Sequence, residues 1–253
     1  MRLFGLIGYP LGHSFSQRFF TEKFAREHIP DARYELFPLP DCAGLPQLLA
    51  AHPDLCGLNV TIPHKESVLP WLDALDETAR QVGAVNCIRI RDGRLTGYNT
   101  DVYGFEQSLR NTGFLNASLP IHAFILGTGG AAKAVAYVLR NMQIPFQFVS
   151  RHPAEGQIGY AQLATLLAAG RALIVNATPL GTFPQVETMP PLPIDQLSAE
   201  HLVFDLVYNP PETLLLRQAQ AQGCALQNGL EMLYLQAERA WEIWNEPTAE
   251  NHV

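Results

Sequence analysis

The segment Phe124-Ile-Leu-Gly-Thr-Gly-Gly-Ala-Ala132 constrains the fold of this chain more than any other. An apolar strand runs into a Gly-x-Gly-x-x-Ala turn and then a helix start, the pattern of a dinucleotide-binding βα unit. Gly127 permits the tight turn, Gly129 lets a pyrophosphate approach the backbone, and the small Ala132 lets helix and strand pack closely. The helix N-terminus then offers N–H groups to the phosphates. A glycine-rich loop alone is a weak signal; strand, turn and helix together predict a nucleotide site. The next strand ends in Val149-Ser-Arg-His152. NAD-preferring sites carry an Asp or Glu here to hold the ribose hydroxyls, whereas an arginine suits the 2′-phosphate of NADP. Arg151 therefore points to NADP, and the missing acid also argues against S-adenosylmethionine. Glu155 lies close in sequence and would repel a phosphate, so NAD stays possible, as does an ordinary surface role for Arg151.

The pattern around this turn is an alternation of strands and helices. Strands are expected at Ile121–Leu126, Phe146–Val149, Leu173–Asn176 and Leu202–Leu206. Helices are expected at Ala131–Met142, Gln162–Ala168 and Thr213–Ala221. This is a βαβ series with right-handed crossovers. It begins near Asp101. Before it, Leu3–Ile7, Tyr34–Leu39 and Leu55–Val60 read as strands, and Phe19, Phe20, Phe24 and Ala25 recur at helical spacing behind Ser16. Ser67–Leu75 reads as a helix despite Pro70. Val85–Ile90 and Leu95–Tyr98, joined by Asp92-Gly93, read as a hairpin. The chain closes on a helix, Leu230–Trp244, apolar around most of its girth. The fold class is α/β.

Composition narrows the function. The 253 residues are 47% hydrophobic and 16% charged, ample for a buried core. A net charge of −7 without a Lys/Arg run argues against nucleic acid. No apolar run approaches the ~20 residues of a membrane span. Cys42, Cys56, Cys87 and Cys224 are scattered without a Cys-x-x-Cys, so they read as reduced thiols of a cytoplasmic protein, not a zinc site.

Four polar segments interrupt the apolar pattern. Leu58-Asn-Val-Thr-Ile-Pro-His-Lys65 places an amide, a hydroxyl and an ammonium on a loop stiffened by Pro63. Gly12-His-Ser-Phe-Ser16 follows the first strand, Gly83-Ala-Val-Asn-Cys87 carries Asn86 at a strand entrance, and Gly97-Tyr-Asn-Thr-Asp101 stands at the start of the βαβ series. Each has an ordinary structural reading: Ser16 and Asp101 as helix N-caps, Asn86 as a turn residue, Lys65 as a surface lysine. Together, hydroxyls, amides, a lysine and a carboxylate suit a polyhydroxylated acid.

With these motifs in order, the chain resembles the shikimate dehydrogenase family. "GYPLGHSFS", "LNVTIPHK", "GAVN", "GYNTD", "GTGGAAKAV", "NATPLG", "DLVYNP" and "NGLEMLYLQA" are similar to successive family signatures and span nearly the whole chain. The resemblance implies an N-terminal α/β substrate domain (1–101 plus 228–253) and a Rossmann NADP-binding domain (102–227), with the C-terminal helix returning to the first. It implies an NADP-dependent oxidoreductase of CH–OH groups that reduces 3-dehydroshikimate to shikimate, with a small-molecule partner only, as monomer or homodimer. Substrate contacts would fall on Ser14, Ser16, Asn59, Thr61, Asn86, Tyr208 and Gln236, and a catalytic pair on Lys65 and Asp101. Gly127, Gly129, Gly130 and Ala131 would line the pyrophosphate, Ser150 and Arg151 the adenosine ribose, and Thr178 and Gly229 the nicotinamide side. Gln17, Cys87 and Thr182 depart from the family pattern without removing one of these polar groups. His152 and Glu155 depart where the family has Thr or Ser and a second basic residue. Two alternatives stand beside this reading: a quinate/shikimate dehydrogenase using NAD, and a non-catalytic nucleotide-binding relative.

Overall fold

The structure is a computed structural model and describes residues 1–12, 15–116 and 119–247. Ser14, one of the expected substrate contacts, lies outside the described residues. The chain divides into two units, Met1–Thr100 with Ala237–Val253, and Asp101–Gln236.

The first unit contains β1 (Arg2–Gly8), α1 (Phe15–Arg26), β2 (Ala32–Pro38), α2 (Leu45–Ala51), β3 (Leu55–Val60), the single-turn α3 (His64–Ser67), β4 (Ala74–Leu75), α4 (Glu77–Val82), β5 (Cys87–Arg91) and β6 (Arg94–Tyr98). Next come α5 (Thr100–Asn111), β7 (His122–Leu126), α6 (Gly130–Asn141), β8 (Phe146–Val149), α7 (Tyr160–Leu167), β9 (Ala172–Asn176), β10 (His201–Asp205), α8 (Leu214–Ala221), β11 (Ala225–Asn228) and α9 (Leu230–Asn245). From Ala237 onward α9 belongs to the first unit.

In the first unit the six strands form one sheet in the order β2-β1-β3-β5-β6-β4. β1 pairs in parallel with β2 and β3, and β5 runs antiparallel to β3. From Leu3 onward β1 is apolar and buried because both of its faces are covered, and successive side chains go to opposite faces. Leu3 and Ile7 join a core with Leu58, Val68 and Ala79. Phe4 and Leu6 join another with Phe19, Phe20 and Phe24 of α1 and Ala240, Ile243 and Trp244 of α9. Gly57 makes this second core possible: a Cβ there would stand 2.4 Å from Trp244 Nε1, which instead donates to Ile88 O at 3.0 Å. The expected hairpin is present, its Asp92 and Gly93 both at positive φ (52° and 74°), as a two-residue type I′ loop requires.

The helix expected over Ser67–Leu75 is not there. The chain makes one α turn at His64–Ser67, a 3₁₀ turn at Leu69–Trp71 and the short strand β4 beside β6. Pro70 lacks an N–H and its ring opposes the carbonyl four residues back, so the helix cannot pass through it. A helix does follow at α4, capped by Asp76, which accepts from Ala79 N at 2.8 Å, and closed by the left-handed Gly83.

Lys23, 4% exposed, ties α1 to α9 through Glu238 (2.6 Å) and bonds Glu27 at the end of its own helix (2.9 Å). Burial alone would lower its pKa, but the hydrogen bonds to Glu238 and Glu27 outweigh that and hold it above the ordinary lysine value. A pKa raised by folding contributes stability that is complete below the unfolded value of about 10.4 and is lost as pH rises through the folded value. Lys23→Met is therefore expected to cost about 2 kcal/mol at neutral pH. In urea unfolding curves the gap between parent and variant should narrow in alkali, and a gap independent of pH contradicts the assignment.

The second unit holds a five-stranded parallel sheet in the order β11-β10-β9-β7-β8. Its core joins Phe124, Leu126, Ile174 and Val203 with Leu163 of α7 and Leu215 of α8. β7 has β8 on one side and β9 on the other, so the strand order reverses there. In open parallel sheets ligands sit outside the carboxyl ends of the strands at that reversal. β11 was not foreseen, since Ala225-Leu-Gln-Asn228 is too short and too polar to show a strand pattern. Among the described residues no helix is long and apolar enough to cross a membrane, and no group of His, Cys, Asp and Glu could hold a metal ion.

Candidate active site

In the first unit the polar segments converge near the carboxyl end of β3. Asn59 is buried one residue before the strand ends. The Tyr34 hydroxyl donates to Asn59 Oδ1 at 2.7 Å, and Asn59 Nδ2 lies 3.5 Å from Asn86 O. Tyr34 also shares a hydrogen bond with Ser16, which is the second residue of α1 and not its N-cap. Burial pushes the Tyr34 phenol well above the ordinary tyrosine pKa. Asn86 stands at a bend just before β5, and its side chain bridges to Thr100. Its Oδ1 accepts from Thr100 N at 2.7 Å and its Nδ2 donates to Thr100 Oγ1 at 3.0 Å.

Lys65 is half-buried and sits in α3. Its carbonyl accepts from Val85 N at 2.7 Å, and Val60 N donates to Asn86 O at 2.8 Å, so β3, α3 and the Asn86 segment are laced together. The buried His64 anchors α3 from beneath by a hydrogen bond from its ring to Leu39 O. Thr61 stands at the strand–helix junction, where its N–H donates to Ile7 O at 3.0 Å and its carbonyl accepts from His64 N at 2.9 Å.

In the second unit the glycine turn lies at the strand-order reversal. Gly127 has φ +106°, a conformation that favours glycine, and a Cβ there would meet Thr178 Cγ2 at 3.1 Å. Gly129 is the N-cap of α6, without a side-chain cap, and a Cβ at that position would find no atom within 4 Å. Gly130 and Ala131 open the helix, and Ala132 is fully buried against the sheet. An open backbone at the N-terminus of a twelve-residue helix fits a dinucleotide phosphate. Ser150, after β8, accepts from His152 N at 3.2 Å, which fixes the turn that carries the exposed Arg151. The Arg151 charge is felt by Tyr160, whose pKa burial raises and Arg151 partly lowers.

Beneath the reversal runs a buried network. Thr178 donates through its N–H (3.1 Å) and hydroxyl (2.7 Å) to Asn176 Oδ1, and Asn176 Nδ2 donates to Asp205 Oδ1 at 2.8 Å. Asp205 accepts further from Val207 N (3.1 Å) and Thr213 Oγ1 (2.6 Å). Burial raises the Asp205 pKa, and these hydrogen bonds oppose the shift. Tyr208 is half-buried beside this network, and Gly229 N donates to Val207 O at 3.1 Å. Asp101, buried in the first turn of α5, lies three residues before Gly104, where a Cβ would approach Gln236 Cβ to 3.2 Å. Asp101 and Gln236 thus belong to facing stretches of α5 and α9, and Asp101, like Ser16, lies within its helix and does not cap it.

The first unit gathers Ser16, Asn59, Asn86 and the Lys65 backbone. The second brings the Gly127 turn against Thr178, bonds Gly229 to Val207, the neighbour of Tyr208, and sets Gly104, one turn after Asp101, against Gln236. Sequence reasoning missed Tyr34, Thr100, Asn176, Asp205 and Thr213. Asn176 and Asp205 did leave a signal: each is the one polar residue closing an apolar strand.

A sequence profile described as "Shikimate dehydrogenase substrate binding domain" matches residues 6–88. A relative named NADP(+) shikimate dehydrogenase from Symbiobacterium thermophilum is 39% identical, across 96% of this chain and 88% of that protein. The crystal structure of shikimate 5-dehydrogenase from Thermus thermophilus, in complex with NADP(H) and shikimate, is 34% identical with a TM-score of 0.80, covering 97% of this chain and 94% of that one. Quinate dehydrogenase from Corynebacterium glutamicum in complex with NAD is 31% identical with a TM-score of 0.83, over 96% and 93%. A nucleotide turn at the sheet reversal, a polar nest at the end of β3 and relatives matched along nearly their whole length lead to one assignment. The chain belongs to the shikimate dehydrogenase family.

Proposed function

We infer that this chain is an NADP-dependent shikimate dehydrogenase, an oxidoreductase that interconverts 3-dehydroshikimate and shikimate in the route to chorismate and the aromatic amino acids. The observation that carries the reading is the Gly127 turn packed against Thr178 at the reversal of a parallel sheet, in a chain whose full-length relatives bear that name. The units are read as a substrate domain and a nucleotide domain, with boundaries near 101 and 228, acting in the cytoplasm as a monomer or homodimer.

The nicotinamide cofactor, when bound, supplies or accepts the hydride. Gly127, Gly129, Gly130 and Ala131 present backbone to its pyrophosphate, Ser150 and Arg151 hold the adenosine ribose with its 2′-phosphate, and Thr178 and Gly229 border the nicotinamide. Ser14, Ser16, Asn59, Thr61, Asn86 and Gln236 bind the substrate's hydroxyls and carboxylate, with Tyr208 beside them. Lys65 gives a proton to the oxygen that becomes the hydroxyl and takes it back in the reverse direction. As an ammonium it also stabilises negative charge developing on that oxygen. Asp101 orients it. The direct test is turnover of shikimate with NADP⁺ by the purified chain, followed by reduced-nicotinamide absorbance; no turnover would end the reading.

The second reading, a quinate/shikimate dehydrogenase using NAD, is favoured by one feature, the exposed Glu155 near Arg151. Arg151→Ala separates the two. The KM for NADP⁺ should rise about tenfold or more, as expected for losing a charge-assisted contact, while that for NAD⁺ changes less than about twofold. Equal effects on both cofactors would contradict the 2′-phosphate assignment.

A further inference from the structure

We propose that Tyr34 is a positioning residue for substrate binding, which sets the donor polarity that the Asn59 amide presents to the substrate. The proposal rests on the reading of Asn59 as a substrate contact. A primary amide is ambiguous: its oxygen accepts and its nitrogen donates, and a half-turn about the terminal torsion exchanges the two. Two fixed groups remove that ambiguity. Asn86 O, 3.5 Å from Asn59 Nδ2, is a carbonyl and can only accept, so the nitrogen must face it. Its position is itself fixed by the 2.8 Å bond it receives from Val60 N. Asn59 Oδ1 is then turned to Tyr34, whose hydroxyl must donate, and does so at 2.7 Å. The phenol oxygen keeps its lone pairs for Ser16. Three side chains from α1, β2 and β3 thereby form one directed chain of hydrogen bonds.

The Tyr34 hydroxyl is placed by the aromatic core and not by solvent. Its ring is buried and stacks on Phe20 with centroids 4.7 Å apart and planes at 13°, and Trp244 lies at 6.5 Å. With Oδ1 engaged and one N–H directed to Asn86 O, Asn59 offers its second N–H, so it selects a substrate oxygen able to accept. Tyr34 acts through Asn59 and needs no contact with the substrate.

Tyr34→Phe retains the stacked ring and removes only the hydroxyl, so the fold should survive, with a thermal midpoint within a few degrees of the parent. The KM for shikimate is expected to rise about five- to tenfold, the size of one oriented hydrogen bond, with the KM for NADP⁺ unchanged. Calorimetric titration of shikimate should show the same weakening without turnover. Asn59→Ala should raise the shikimate KM at least as much, and the double variant should match Asn59→Ala within about twofold, because Tyr34 acts through the amide. Effects that multiply in the double variant would overturn the coupling. Impaired Asn59→Ala with parent-like Tyr34→Phe would overturn this proposal alone and leave the functional reading standing. An unchanged shikimate KM in Asn59→Ala would remove Asn59 from the substrate site and the proposal with it.

Discussion

Lys65→Ala is expected to lower kcat by about 10²-fold or more while the KM for NADP⁺ stays within a few-fold of the parent, the loss usual for a general acid–base residue. The loss should be chemical and not structural. Lys65 is fixed to the fold by its backbone, through the bond from Val85 N, and by its neighbour His64, whose buried ring holds α3. Truncation at Cβ leaves both anchors in place, and Ala is the best helix former. Lys65→Arg sharpens the test. A guanidinium keeps the positive charge but does not release a proton near neutrality, so it should not restore turnover if proton transfer is the role. Steady-state kinetics together with a melting curve decide the matter. Turnover within about threefold of the parent in a folded Lys65→Ala would remove the residue from catalysis.

Asp205→Ala should produce the largest stability effect, about 3–5 kcal/mol in urea unfolding of the full chain. The substitution strands three donors at once: Asn176 Nδ2, Val207 N and Thr213 Oγ1. Each buried donor left without an acceptor costs about 1–3 kcal/mol. Partial relaxation keeps the total below the sum. Thr213 is also the N-cap of α8, its hydroxyl accepting from Leu216 N at 3.3 Å, so the damage spreads from the β9–β10 pair to that helix. A functional consequence follows through Asn176, which fixes Thr178 against the Gly127 turn. The KM for NADP⁺ should therefore rise in whatever fraction stays folded. A loss of less than about 1 kcal/mol would show that the network is not a stabilising unit.

Several elements could be read from residues alone because a local rule governs them. Leu55–Val60 and Phe146–Val149 are mostly apolar runs, each with one polar residue, and match β3 and β8 end to end. The Asp92-Gly93 hairpin follows from the two positive φ angles such a loop needs. Pro70 shows the limit: helical spacing over Ser67–Leu75 was a pattern, and the missing N–H overrode it.

The candidate site was legible differently. Its residues were named through ordered family motifs, and their spatial grouping could not be foreseen. Tyr34 and Asn59 are 25 positions apart and share no motif, so nothing local signals their bond. Asp205 and Thr213 are joined only because β10 and α8 fold back on one another. Long-range pairing of this kind is set by tertiary packing, which single-sequence periodicity does not encode.

Lys65 and Asp101 are proposed to act as one acid–base unit on the substrate oxygen. A crystal structure of the chain with shikimate and NADP⁺ tests this most directly. Lys65 Nζ and an Asp101 carboxylate oxygen are both expected about 3 Å from the same shikimate hydroxyl. A reacting hydroxyl held by other groups, with either side chain turned away from it, would rule out this pair.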